Sequence, residues 1–321
     1  MLFSLNSFLS GFVLPDCAAI LICSALIIVM IRAGVMDHPG HRSSHTRPTP
    51  KGGGIGIIGA FLICLPLCHI ATGQSAFNIP TLCLMCGVAF LALISWLDDI
   101  YSFPARYKLA AQFIASMLIF MSTSVPWAYI IPILLLSVFI TNALNFIDGI
   151  NGLAAGTMML AAFLLAAVNV HSIPLDLLAL CFAAFLPWNF PKAQIFMGDV
   201  GSQAGALIMA WAAMSKDYEV TLFVIALLAG ILWDVSFTLV RRALAGDKLA
   251  HAHRGHLYQL AVRSGLPMPL VTLIYWLFTI WGAIMFLTLP LSTAFITIMI
   301  PQFLWTGYIF TRAKARVKER W

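Results

Sequence analysis

Charge is scarce in this chain. Asp, Glu, Lys and Arg make up only 9% of its 321 residues, hydrophobic residues make up 61%, and the mean hydropathy is +0.96. That shortage excludes an ordinary soluble globule, in which about a quarter of the residues are charged. A basic leader is missing too. The first eleven residues carry no charged side chain, so no secretory signal peptide is expected. A cysteine framework is lacking. The seven cysteines all fall in or beside apolar runs, and Cys83-x-x-Cys86 has no second pair and no nearby histidine. It therefore reads as helix packing rather than a redox or metal pair. Internal repeats and low-complexity tracts are absent as well.

What is there instead is a series of apolar runs, each about long enough to cross a bilayer as a helix. Eleven candidate spans emerge, roughly 12–32, 53–71, 79–97, 107–124, 127–146, 152–171, 175–190, 201–215, 219–240, 268–289 and 291–311. The expected architecture is an all-α, polytopic integral membrane protein forming one membrane-embedded catalytic domain over residues 1–321. Alternating the spans across the membrane places all of the 18 Lys and Arg residues except Lys216 on one side or its flanking ends. By the positive-inside rule that side is cytoplasmic. The net charge of +6 is thus a topology signal, with no call for nucleic acid, and the basic tail Arg312 to Arg320 reads as an anchor at anionic lipid.

The acids follow the same division. Asp37, Asp98, Asp99, Asp148 and Asp199 all lie at ends of apolar runs on the cytoplasmic side. A carboxylate at the bilayer centre costs about 2.5–3.5 kcal/mol on insertion scales, so these side chains belong at the water boundary. Asp98-Asp99 closes a span. Adjacent carboxylates repel, and a bound cation or a raised pKa resolves that. A helix cap explains them poorly, because acids favour the opposite end of a helix.

Three further stretches concentrate polar groups. The loop from Asp37 to Gly54 is dense in cations, histidines and hydroxyls, including Arg42, His45 and Lys51, and ends in three glycines that open a helix. Backbone N–H groups at such a start, beside Arg and Lys, suit a phosphate or diphosphate. In Asn142-Ala-Leu-Asn145-Phe-Ile-Asp148-Gly-Ile-Asn151-Gly, the positions 142, 145 and 148 recur about once per turn and share a face, which usually lines a cavity. In Gly198-Asp199-Val-Gly201-Ser202, glycines on both sides of an acid allow backbone and ligand to approach closely; a plain N-cap is the competing reading. The last cytoplasmic loop carries His251, His253, Arg254 and His256. Without cysteine partners these suit anion or sugar recognition better than zinc.

Taken together, Arg42-x-x-His45-x-x-Pro-Thr-Pro-Lys51-Gly-Gly-Gly54, Asn145-Phe-Ile-Asp-Gly-Ile-Asn-Gly152 and Gly198-Asp-Val-Gly-Ser202 resemble the bacterial polyprenyl-phosphate N-acetylhexosamine-1-phosphate transferases. The likeness runs from Asp37 to Gln259 in the same order. It implies transfer of a sugar 1-phosphate from a UDP-N-acetylhexosamine to undecaprenyl phosphate, with release of UMP. It implies Mg²⁺, with Asp199 and Asp99 as metal ligands. It assigns Asp98, Asp99 and Asp148 to the catalytic site. It gives substrate-binding roles to Arg42, His45, Lys51, Asn142, Asn145 and Asn151, and a donor-binding role to His251, His253, Arg254 and His256. It implies a bacterial inner membrane protein, in contact with membrane lipids, whose active site faces the cytoplasm; it leaves a homodimer open. Two routes fit: a covalent phospho-intermediate on Asp98, or direct attack by the lipid phosphate.

Two departures from the family pattern matter. Asn151 stands where many relatives have a second aspartate, and His253-Arg-Gly-His256-Leu-Tyr-Gln replaces the His-His-x-Glu pattern of the peptidoglycan-initiating branch. The chain thus looks more like the branch that begins O-antigen or exopolysaccharide synthesis from UDP-N-acetyl sugars. The rival class is an ion-coupled transporter with the acids as a proton path, although such sites tend to sit near the midplane on broken helices related by a repeat. An inert membrane scaffold would explain the topology but not the acids.

Overall fold

In lipid every backbone N–H and C=O must be paired within the protein, and a helix does this segment by segment. The computed structural model, which describes residues 14–39, 47–168, 172–248, 253–319 and 321, is built that way. Among the described residues the helices run α1 (Leu14–Ala33), α2 (Gly53–Ala71), α3 (Ile79–Tyr101), α4 (Ala105–Phe120), α5 (Ile130–Phe146), α6 (Leu153–Ala167) and α7 (Ser172–Asn189). They continue with α8 (Gly198–Ala212), α9 (Tyr218–Leu227), α10 (Ala229–Leu244), α11 (Leu257–Arg263), α12 (Met268–Thr288) and α13 (Leu291–Arg316). The protein is an all-α, polytopic membrane protein. Strand structure is confined, among these residues, to a two-stranded ribbon of β1 (Met36–Asp37) and β2 (Thr49–Pro50), which pair antiparallel.

A helix lies under each of the eleven expected spans, but they are not equivalent. Among the described residues, six stretches are long and apolar enough to cross a membrane: α1, α2, α3, α12, α13, and α5 together with the 3₁₀ turn before it. The span expected at 219–240 is broken: α9 and α10 meet at Leu228 with a 74° bend. Both α6 and α8 have 15 residues. At 1.5 Å per residue that is about 22 Å, short of a hydrocarbon core of about 30 Å. Burial explains how so short a helix is accommodated. From Val200 to Ala212 every residue of α8 is buried, so protein rather than lipid surrounds it. From Ala204 to Ala212 the helix is apolar all round, as suits a place inside a bundle, and its glycines and alanines let neighbours approach closely.

Helix α8 packs against α2, α3 and α5, and these contacts gather the site. The approach to α2 is the tightest. A Cβ on Gly54 would stand 2.1 Å from the Gly201 backbone nitrogen and 3.0 Å from the Met197 carbonyl, so only glycine fits. Helix α3 begins where the Asn78 side chain accepts from the Thr81 N–H, and stops at Ser102, a left-handed residue whose N–H returns to the Asp98 carbonyl. Asp98 and Asp99 therefore occupy its last turn. Cys83 and Cys86 lie along α3 as free thiols.

Candidate functional site

A cleft of about 840 Å³ opens at one end of the bundle. Its wall is assembled from segments far apart in sequence. The ribbon side contributes Asp37, Arg47, Thr49 and Lys51; α3 contributes Asp99; the end of α5 and the turn after it contribute Asn145, Asp148 and Asn151. The segment between α7 and α8 adds Lys192 and Phe196, and α8 adds Asp199 from its first turn. Four of the expected acidic ends thus meet: Asp37, Asp99, Asp148 and Asp199 line one cavity.

Lysines hold these carboxylates. Lys51 Nζ lies 3.1 Å from Asp99 Oδ1. Lys108, from α4, pairs with Asp98 Oδ2 and sits 3.9 Å from Asp199 Oδ2. Asp199 Oδ2 also accepts from Gln203 Nε2 at 3.0 Å. Asp148 faces the cleft half-buried. Burial, and then the neighbouring Asp199 charge, raise its carboxyl from the ordinary 3.8 to about 7.

Several residues sit elsewhere than the sequence implies. Asp98 is 6% exposed and lies outside the cleft lining; it accepts from the Phe103 N–H at 2.7 Å and faces Lys108. Asn142 also lies behind the cleft, paired with Gln112 inside the bundle. Asn145 is in the lining, where its Oδ1 accepts from Ser202 Oγ at 2.6 Å. Asn151 donates to the Pro191 carbonyl at 3.1 Å. The expectation that the glycines 52–54 cradle a phosphate is corrected. The N–H groups of Gly52 and Gly53 donate to the Phe196 carbonyl, and that of Gly54 to the Met197 carbonyl. The amides are occupied because α2 is stitched to the segment leading into α8. Arg42, His45 and His251 lie outside the described residues.

The loop before α11 adjoins the cleft without being in its lining. His253, Arg254 and His256 are not among the lining residues. His253 is not a cation at neutral pH: burial, then His256, Arg242 and Arg241, lower it to about 4. His256 is buried, with Nδ1 3.3 Å from Asp234 Oδ1. Asp234 is the residue the sequence reading passed over. It sits in α10 with no solvent exposure. Its Oδ1 accepts from the Leu257 N–H at 2.8 Å and its Oδ2 from the Tyr258 N–H at 3.0 Å and from the Tyr275 hydroxyl. Its carboxylate therefore caps α11 from another helix. Tyr258 in turn donates to the Phe146 carbonyl at 3.0 Å and packs on Gly149, where a Cβ would meet its hydroxyl at 2.2 Å. The capped loop thus abuts the turn that carries Asp148. An ionisable residue inside an apolar run was the available signal, since such a residue needs a partner in the bundle.

The donor set suits magnesium. Every recorded contact of Asp99 and Asp199 uses one oxygen of each, so Asp99 Oδ2 and Asp199 Oδ1 have no hydrogen-bond or ion-pair partner among the described residues. A Cβ on Gly198, the neighbour of Asp199, would stand 3.5 Å from Asp99 Oδ2. No group of three or more His, Cys, Asp or Glu among the described residues could hold a metal ion by itself. Mg²⁺ fits such a site, because it typically binds one or two carboxylates and completes its shell with water and phosphate oxygens.

Residues 81–217 match the profile of glycosyl transferase family 4. A decaprenyl-phosphate N-acetylglucosaminephosphotransferase of Mycobacterium tuberculosis is 27% identical, over 77% of this chain and 73% of that protein. A probable undecaprenyl-phosphate N-acetylglucosaminyl 1-phosphate transferase of Bacillus subtilis is 28% identical, over 85% and 82%. A phospho-N-acetylmuramoyl-pentapeptide-transferase of Moorella thermoacetica is 32% identical, over 71% and 80%.

Proposed function

This chain belongs to glycosyl transferase family 4, among the polyprenyl-phosphate N-acetylhexosamine-1-phosphate transferases, and from that premise we propose that it transfers N-acetylhexosamine 1-phosphate from a UDP-sugar to undecaprenyl phosphate, releasing UMP. The observation that carries this reading is the meeting of Asp99, Asp148 and Asp199 with Lys51, Arg47 and Lys192 in one cleft. A reaction between two phosphorylated molecules needs cations to offset their repulsion, and a fixed arrangement of charge where the bond changes hands. A lipid acceptor and a soluble nucleotide can meet only at the membrane face, and the gathering of these residues at or beside helix ends supports placing the cleft there. The basic residues on that side of the alternation support a cytoplasmic cleft in a bacterial inner membrane.

Each residue has a part in this scheme. Asp199 and Asp99 hold Mg²⁺, which neutralises diphosphate charge when bound. Lys51 and Lys108 keep those two carboxylates in place and add positive charge nearby. Arg47 and Lys192 attract the donor's diphosphate. Asp148, with its pKa near neutrality, is poised to take a proton at the acceptor phosphate. The loop at Arg254 recognises the donor, and its departure from the His-His-x-Glu pattern favours a simple UDP-N-acetyl sugar over a muramoyl-pentapeptide donor. The product would start a cell-surface polysaccharide of the O-antigen type.

Purified protein in liposomes containing undecaprenyl phosphate, offered a panel of UDP-N-acetylhexosamines with Mg²⁺, should release UMP with at least one of them and form a lipid-linked product. Release with none, or release independent of the lipid, would overturn the reading. An ion-coupled transporter predicts instead a substrate-driven proton flux across the same liposomes and no UMP.

A further inference from the structure

Asn142 has no place in the cleft, yet its hydrogen bonds lead back there from beneath. Asn142 Nδ2 donates to the Val138 carbonyl at 2.8 Å and to Gln112 Oε1 at 2.6 Å. Gln112, on α4, returns one N–H to Asn142 Oδ1 and gives the other to Gln203 Oε1 on α8, both at 3.2 Å. Gln203 Nε2 then donates to Asp199 Oδ2 at 3.0 Å. Gln112 and Gln203 are each 2% exposed.

Donors and acceptors along this row of hydrogen bonds have one consistent order. The Val138 carbonyl can only accept, which sets the nitrogen of Asn142. That sets the amide of Gln112, and Gln112 sets the amide of Gln203. Reversing Gln203 alone would point its Nε2 at the Gln112 nitrogen and its carbonyl at a carboxylate. Buried carboxamides are costly in an apolar bundle unless they are paired, and here the pairing runs across three helices to end on a carboxylate.

We propose that Gln203, held in orientation by Gln112 and Asn142, is a positioning residue for Asp199: it engages Oδ2 within the bundle and leaves Oδ1 for a divalent cation in the cleft. This rests on the metal reading given above. Hydrogen bonds behind a metal ligand orient it, and losing them typically weakens metal binding about 10–100-fold.

The test is Mn²⁺ binding to the full-length, detergent-purified protein without either substrate, read by electron paramagnetic resonance of the free ion. Gln203→Leu and Gln203→Met should weaken binding by about 10–100-fold, with Asp199→Asn as the floor. Gln112→Leu touches no cleft residue and should weaken binding in the same direction through Gln203. Thermal midpoints identify the variants that fold. A folded Gln203 variant with wild-type Mn²⁺ affinity overturns the proposal while leaving the metal reading intact. If neither Gln203 variant folds, Gln112→Leu decides by the same criterion. A wild-type protein that binds no Mn²⁺ overturns both.

Discussion

Gly54 and Gly201 meet backbone to backbone, so close that a single methyl group on Gly54 would collide with the amide nitrogen of Gly201. This contact brings α2 and α8 together and seats Lys51 and Asp199 on the same wall.

Gly54→Ala and Gly201→Ala should therefore destabilise the protein. Overpacking typically costs about 1–3 kcal/mol; the obstacle at Gly54 is backbone, which cannot swing aside, and at Gly201 it is the Met197 side chain backed by the Gly54 backbone. Gly307→Ala, with nothing within 4 Å of the new methyl, is the control and should be neutral or stabilising by up to about 1 kcal/mol. Thermal unfolding in detergent compares the three.

Removing the charge of Asp99, Asp148 or Asp199 with Asn keeps shape and removes function. Losing one preorganised electrostatic group typically costs about 10²–10³ in rate, with folding retained. Asp98→Asn should differ. It strips a buried partner from Lys108 and a charged acceptor from the Phe103 N–H, at about 1–3 kcal/mol of stability. UMP release and thermal midpoints, measured on all four, separate the two classes. Near-wild-type turnover in Asp99→Asn and Asp199→Asn would remove the basis for a metal site.

The raised pKa of Asp148 sets the sign of its expected contribution to the pH dependence of stability. Its folded pKa, about 7, lies above the ordinary 3.8, so the folded protein keeps this proton longer than the unfolded chain does. The contribution of Asp148 therefore becomes less favourable as pH rises from about 4 to about 7. Asn, a neutral mimic, lacks this penalty. The midpoint of Asp148→Asn relative to wild type should rise between pH 5 and pH 8, and a flat difference would contradict the assignment.

All the recorded contacts of Asp234 are with groups that can donate, so an amide in its place would turn an N–H toward one of them. Asp234→Asn should lower stability by about 1–3 kcal/mol. Because the cap holds the loop proposed to recognise the donor, KM for the UDP-sugar should rise more than KM for the lipid phosphate. Equal rises in both would place the loop outside donor binding.

The helices and the acidic ends were legible in the sequence because both follow from solvation: apolar runs seek lipid, and carboxylates seek the boundary. Asp99, Asp148 and Asp199 converge as that logic requires. The bend at Leu228 was not legible, since leucine carries no break signal and the nearby Gly230 reads as an ordinary helical glycine. It packs under Phe278, with a Cβ position 2.7 Å from that ring. The short α8 read as a full span because composition records apolarity but not whether protein or lipid supplies it. Glycines 52–54 looked like an anion cradle, because a sequence shows free amides but not the carbonyls of Phe196 and Met197 that occupy them. Asn142 shares a helix face with Asn145 as expected, yet one turn of depth moves it from the cleft into the bundle.

With those glycine amides engaged, positive charge reaches the cleft from side chains such as Lys51, Arg47 and Lys192, the last two exposed. Fields from exposed side chains are screened by dissolved ions over about 8 Å at physiological ionic strength and about 3 Å in molar salt. Capture of a phosphorylated ligand should thus be fast in dilute buffer and slow in brine, and the ionic strength of the assay becomes a dial on the encounter rate.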